Sequence, residues 1–219
     1  MAGRIIAVGD IHGCAAALKT LLSTIAPTAD DTIVTLGDYV DRGPDSRGVI
    51  DQLLELGRRC RLVPLMGNHE EMMLDVVRDQ QAPYRWLQHG GVETLDSYGF
   101  VGDMSVIAES HLEFFRSLKD FHETDTHFFV HANYQEDKPL EQQNDTYLRW
   151  KRLDDHIPGP HVSGKTAILG HTADESGEIF SLKHLICIDT FCHGGQWLTA
   201  LEVGSGKIWQ ANEEGKMRS

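Results

Sequence analysis

Three times in its first 70 residues this chain runs an apolar stretch into a glycine followed by a ligand-type side chain. Arg4-Ile5-Ile6-Ala7-Val8 leads into Gly9-Asp10-Ile11-His12-Gly13, and Thr32-Ile33-Val34-Thr35-Leu36 into Gly37-Asp38-Tyr39-Val40-Asp41-Arg42-Gly43. Leu62-Val63-Pro64-Leu65-Met66 leads into Gly67-Asn68-His69-Glu70. Short apolar runs that stop at glycine read as buried parallel strands. They recur at intervals of roughly thirty residues, the length of one strand–helix–strand unit. Parallel neighbours end on the same edge of a sheet, and ligands bind at that edge. The pattern therefore predicts an α/β fold in which Asp10, His12, Asp38, Asn68 and His69 meet at the strand ends.

The intervening segments fit this frame. From Cys14 to Ile25, Leu18, Leu21, Leu22 and Ile25 follow helical spacing. Pro44-Asp45-Ser46 reads as a turn and N-cap, and Val49, Ile50, Leu53 and Leu54 form the apolar face of the next helix. Glu70 and Glu71 suit the N-terminus of a third helix. From about Gln80 to Phe121 the rhythm breaks into short glycine-stopped helical pieces and an amphipathic stretch, Ile107 to Phe121. This block reads as a helical insertion beside the strand ends, serving the site or simply covering the sheet.

Strands then return. Thr126-His127-Phe128-Phe129-Val130 ends in His131-Ala132-Asn133, and Thr166-Ala167-Ile168-Leu169 ends in Gly170-His171-Thr172. Between them, Tyr134 to about Gly164 reads as a polar loop. Leu185 to Asp189 reads as one further strand, with Asp189 structural. Trp197–Val203 and Lys207–Gln210 read as a closing hairpin, and Glu213–Ser219 as a frayed end. The expectation is one domain, 1–219.

Composition narrows the partners. The formal net charge is -13 with His neutral, against 20 Lys and Arg. That argues against a nucleic-acid backbone or an anionic membrane as the main partner. No apolar run approaches the roughly 18 residues of a membrane span. Cys14, Cys60, Cys187 and Cys192 form no C-x-x-C pair and read as free thiols of a reducing compartment. With no signal-peptide pattern, the expected location is the cytoplasm.

Five strand ends now carry hard oxygen or imidazole ligands: Asp10 and His12, Asp38, Asn68, His131, and His171. Such a set suits Mn²⁺, with Fe or Zn²⁺ as alternatives, and it exceeds what one ion needs. A two-metal site sharing Asp38 accommodates it. Ions about 3.5–4 Å apart can hold a hydroxide between them and clamp a phosphoryl oxygen. His89, His111, His122, His127 and His184 have no such setting and read as packed or solvent-facing.

Gly9-Asp10-Ile11-His12-Gly13, Gly37-Asp38-Tyr39-Val40-Asp41-Arg42-Gly43 and Gly67-Asn68-His69-Glu70 together resemble the three signature motifs of the phosphoprotein phosphatase family of metallophosphoesterases. The likeness is greatest to its small bacterial and phage serine/threonine phosphatases. His131-Ala132 and Gly170-His171-Thr172 match later motifs, although Ala173 stands where proline is often found. The resemblance implies a β-sandwich flanked by helices with a dinuclear metal centre. Asp10, His12 and Asp38 would hold one ion; Asp38, Asn68, His131 and His171 the other. His69 would protonate the leaving oxygen, oriented by Asp41, and Arg42 would hold the phosphate.

The resemblance also implies a second phosphate-binding arginine after the fourth strand end. Leu148-Arg149-Trp150-Lys151-Arg152 offers two. The commoner order, with Trp two positions before Arg, points to Arg152, whereas Arg149 follows the apolar Tyr147-Leu148 directly. Arg149 is the expectation taken here.

The expected activity is hydrolysis of a phosphorylated protein or a small phosphate ester. A symmetrical dinucleoside tetraphosphate hydrolase shares two of the three motifs, but its middle motif usually departs from Tyr-Val-Asp-Arg-Gly. An inactive phosphate-binding module would show decay among the ligands, and none of the six is missing.

Overall fold

The computed structural model describes residues 3–78 and 82–219. Its strands alternate side chains between two cores. In β1 (Ile5–Val8), Ile6 and Val8 pack against helices while Ala7 faces inward. In β5 (His127–Val130) and β6 (Thr166–Leu169), Phe129 and Ile168 face the same inner layer as Ala7. Phe128, Val130, Ala167 and Leu169 face outward under a loop cover that includes Tyr134, Leu140 and Leu148. This period of two is what builds a sandwich of two sheets.

The first sheet has the order β11-β10-β1-β2-β3. It contains β2 (Thr32–Thr35), β3 (Arg61–Pro64), β10 (Trp197–Glu202) and β11 (Lys207–Asn212), with β9 (Asp189–Thr190) paired to β10. The parallel pairs β1–β2 and β2–β3 carry the first three strand ends side by side. The second sheet has the order β4-β5-β6-β8-β7, with β4 (Phe121–Glu123), β7 (Phe180–Leu182) and β8 (Leu185–Cys187). Here β5 and β6 are parallel and carry the later two strand ends.

Helices α1 (Ala15–Ile25), α2 (Ser46–Gly57) and α3 (Asn68–Val77) follow the first three strands. Asp45 caps α2, its side chain accepting from the Gly48 amide at 2.8 Å. Their buried apolar faces, such as Leu18, Leu21, Val49, Ile50 and Leu53, cover the outer side of the first sheet. All four cysteines are free and buried. Among the described residues, no helix is long and apolar enough to cross a membrane.

Four sequence expectations change. The helix read as Ile107 to Phe121 is shorter: α6 spans Glu109–Arg116, after α4 (Tyr84–Trp86), a kinked turn at Leu87–Gly91 with non-helical backbone at His89 and Gly90, and α5 (Val92–Tyr98). Phe121 instead opens β4, because His122 and Glu123 pair with Phe129 and Phe128 of the neighbouring strand. The first part of the insertion, 80 and 81, lies outside the described residues. The polar loop from Tyr134 to Gly164 holds a helix, α7 (Asp145–Trp150), capped by Asn144. The run Leu185–Asp189 is split between sheets: Cys187 pairs with Leu169 in one, and Asp189 with Leu198 in the other. The tail is tied down as well. Arg218 pairs with Glu178 at 2.6 Å, and the Asn212 amide donates to Lys216.

Candidate metal centre and active site

The loops after the strands turn sharply enough to bring their side chains back over the sheet edge. His12, Asp38, Asp41, Arg42 and His171 all have φ between +42° and +72°. A non-glycine residue in this region costs of order 1–3 kcal/mol and persists only where its surroundings enforce it. One enforcer is Glu70. Its fully buried carboxylate accepts from the amides of Asp38 (2.9 Å), Tyr39 (2.7 Å), Val40 (3.2 Å) and Gly67 (3.1 Å). Glu70 thus locks the second loop onto the third. The glycine before Asn68 serves the same junction, since a Cβ at Gly67 would fall 2.1 Å from Asp38 Oδ1.

Hydrogen bonds to backbone carbonyls fix the histidine tautomers. His12 Nδ1–H donates to Val40 O (2.9 Å), His131 Nδ1–H to Leu36 O (2.8 Å) and His171 Nε2–H to Trp150 O (3.1 Å). Each ring is left with its lone pair aimed into the site. The consequence is sharpest around His131. Its bare Nε2 lies 3.2 Å from the bare Nδ1 of His171, 3.0 Å from Asn68 Oδ1 and 3.5 Å from Asp38 Oδ1. Four ligand-type atoms converge within a few Å, an arrangement that a shared cation satisfies. On the other side, His12 Nε2 lies 3.5 Å from Asp38 Oδ2. The buried Asp10 Oδ1 has no hydrogen-bond partner among the described residues, while Oδ2 accepts from the His171 amide. Asp38 belongs to both clusters of close ligand atoms, one with His12 and His69 and one with His131 and His171.

Electrostatics point the same way. Burial, and then the Asp189 and Asp38 carboxylates, push Asp10 well above the usual carboxylate range; burial and Glu70 do the same to Asp38. Burial also holds His12 and His131 well below the ordinary imidazole value, and brings His171 down to about 4. Carboxylates crowded together in a buried site are costly alone and a divalent cation offsets that cost, while the neutral rings keep lone pairs free to ligate. The residues present therefore fit the two-ion centre.

His69 belongs to the cluster of His12 and Asp38, with one side of its ring engaged by Asp41. Its Nδ1 lies 2.6 Å from Asp41 Oδ2, and its Nε2 lies 3.9 Å from Asp38 Oδ2. Burial depresses the His69 imidazole and raises the Asp41 carboxyl. Arg42, exposed at the mouth, places Nη1 3.3 Å from His12 Nε2 and 3.4 Å from His193 Nε2.

The structure thus gathers Asp10, His12, Asp38, Asp41, Arg42, Asn68, His69, His131 and His171. It does not bring Arg149 in as a free cation. That guanidinium, 14% exposed, donates to Glu71 and Asp120. Arg152, 45% exposed, is paired among the described residues only with Asp154, and its charge is felt at His171 and Asp189.

Sequence reasoning missed His193, whose ring lies 4.6 Å from that of His12. It follows a strand of only two residues, too short to stand out as an apolar run. The Gly194-Gly195 pair after it was the available signal. Asp189, read as structural, lies beside Asp10, and its own carboxyl is raised by burial to about 6.

The sequence profile of the calcineurin-like phosphoesterase family matches residues 3–201. Over 85 residues the chain is 42% identical to serine/threonine-protein phosphatase 1 of Salmonella typhimurium, covering 38% of this chain and 37% of that protein. Over 71 residues it is 41% identical to a symmetrical bis(5'-nucleosyl)-tetraphosphatase of Burkholderia pseudomallei, covering 32% of this chain and 24% of that protein. The matches thus span well under half of either relative. The backbone superposes with a TM-score of 0.72 on a solved structure titled as a candidate diadenosine tetraphosphatase, covering 96% of this chain and 94% of that one at 24% identity. At that identity the likeness is one of fold.

Proposed function

Because the chain belongs to the calcineurin-like phosphoesterase family, we propose that it is a metal-dependent phosphomonoester hydrolase acting on phosphoserine or phosphothreonine in protein. The observation that carries this reading is the buried His69–Asp41 pair, 2.6 Å apart, beside the cluster around Asp38. A serine alkoxide is a poor leaving group and needs a proton as the P–O bond breaks. A nucleotide phosphate leaves readily and needs far less help. The orienting Asp41 lies in the middle motif, the one from which the tetraphosphate hydrolases usually depart, and this supports the phosphoserine reading over theirs.

Asp10, His12 and Asp38 would hold one divalent ion, and Asp38, Asn68, His131 and His171 a second; Mn²⁺ suits this donor set. The bound ions would supply Lewis acidity and neutralise charge on the phosphoryl group. Arg42 presents its guanidinium at the mouth, where it can grip two phosphate oxygens in a fork. Arg152 is the better candidate for a second cation, because Arg149 is already committed to two carboxylates. His69 Nδ1–H donates to Asp41, so Nε2 carries a proton only in the imidazolium form. The bound phosphate dianion favours that form, and Nε2–H is then aimed at the leaving oxygen. Asp41 keeps the ring oriented and stabilises its charge.

A tetraphosphatase reading is favoured by the Burkholderia relative. One substrate panel separates the two. With added Mn²⁺, phosphoserine peptides should turn over faster than dinucleoside tetraphosphates, and chelator should abolish both. Preference for the dinucleotide would overturn the protein-phosphatase reading.

A further inference from the structure

We propose that the helical block from Pro83 to Tyr98 completes the proton donor, with Trp86 and Thr94 as positioning residues that set Asp41 and, through it, His69. This rests on the reading of His69 as the leaving-group acid. The Asp41 carboxylate is fully buried. Besides His69 it receives two side-chain donors, both from the block. Trp86 Nε1–H donates at 2.9 Å to Oδ1 and 3.1 Å to Oδ2, and Thr94 Oγ1–H donates at 2.7 Å to Oδ1. Thr94 Oγ1 also accepts from the Asp41 amide at 2.8 Å. One hydroxyl thus grips both the backbone and the side chain of the same residue. Thr94 is 0% and Trp86 1% exposed, so neither bond competes with water.

A block that merely covered the sheet would present apolar groups. This one instead aims two buried donors at a single carboxylate, which fixes the carboxylate's rotation and hence the oxygen left for His69. The kink between them, at His89 and Gly90, makes the approach feasible. The carbonyl of Gly90 accepts from the Arg42 amide, Gly90 has φ +105°, and a Cβ there would lie 2.4 Å from Arg42 N. The same turn therefore also seats the residue next to Asp41. Trp86 bonds Asp41, and Thr94 bonds Asp41 and Ser46, so their effect on chemistry passes through Asp41.

The test compares Thr94→Val, Thr94→Ser and Trp86→Phe in the Mn²⁺-loaded full chain. Thr94→Val should lower kcat on a phosphoserine peptide by about tenfold to a hundredfold, the usual cost of losing an orienting partner. The loss should be smaller on an aryl phosphate, whose phenolate leaves with less need of a proton. KM and metal content should hold. Thr94→Ser, which keeps the hydroxyl, should restore the rate. Trp86→Phe, which keeps a ring but not the N–H, should reproduce the selective loss and carries the test if Thr94→Val does not fold. A second readout is independent of turnover and is taken on the diamagnetic Zn²⁺-loaded chain: the downfield proton resonance of His69 Nδ1–H, assigned by its absence in His69→Asn, should shift in both Thr94→Val and Trp86→Phe. An unshifted resonance, or equal rate losses on both substrates, overturns the proposal. If the unaltered protein does not hydrolyse phosphoserine at all, the functional reading fails, and the resonance still decides whether the block positions the pair.

Discussion

The Arg149 guanidinium is bonded to Glu71 Oε1 at 2.5 Å, and its other terminal nitrogen donates to Asp120 Oδ1. Trp150 Nε1 donates to the second oxygen of the same Glu71. These bonds tie α7 to α3 and to the segment before β4, and they hold the carbonyl of Trp150 where His171 needs it. Arg149→Ala should therefore lower stability by about 1–3 kcal/mol, the scale of lost charge-assisted bonds, while KM for a phosphate ester changes little. Arg152→Ala should do the reverse, raising KM about tenfold with little change in melting temperature. Thermal melts and kinetics on both variants check this. A large KM effect confined to Arg149→Ala would return the substrate role to Arg149.

Glu70 predicts an unusually harsh conservative substitution. Its two carboxylate oxygens accept from four backbone amides. Glu70→Gln leaves one oxygen and turns an NH₂ group towards donors that it cannot satisfy. Two buried amides then go unpaired, at about 1–3 kcal/mol each. The Asp38 loop loses its lock, so metal content should fall along with the melting temperature. Elemental analysis and calorimetry measure both, and an unchanged metal content would show that the loop holds its shape without Glu70.

Stability at low pH should depend on Asp31. The Arg4 guanidinium, bonded at 2.7 and 3.1 Å, holds the Asp31 carboxyl well below the usual carboxylate range, and Thr28 adds two further donors. A carboxyl depressed on folding contributes its stability fully above its unfolded pKa, near 3.9. The contribution fades as pH falls through the folded value. With Arg4 32% exposed, the pair is worth about 1–2 kcal/mol. Asp31→Asn should be less stable than the unaltered protein at pH 7, with the gap narrowing below about pH 4. Melting curves from pH 7 to 3 on both proteins decide it; a gap of constant size would mean that the charge is not responsible.

The parts of this fold legible in the sequence are those where local pattern and tertiary role coincide. Each strand ending in Gly-Asp, Gly-Asn or His carries its own apolar run, its own turn and its own ligand within ten residues. What escaped has its reason elsewhere in the chain. The Leu185–Asp189 run looks continuous because both sheets are apolar inside, yet the chain changes sheets at Ile188. Arg149 and Arg152 are chemically alike in sequence, and only the approach of Glu71 and Asp120 separates them. Trp86 and Thr94 read as ordinary helix residues until Asp41, 45 and 53 positions away, is placed between them.

In the proposed mechanism His69 delivers the proton to the leaving oxygen, while Asp10, His12, Asp38, Asn68, His131 and His171 would hold the metal. His69→Asn tests it most directly, with metal content and kcat measured on a phosphoserine peptide and on an aryl phosphate. The variant should keep two ions per chain, lose about 10²–10⁴-fold in kcat on phosphoserine, and lose much less on the aryl ester. Loss of an ion, or equal falls on both substrates, would contradict it.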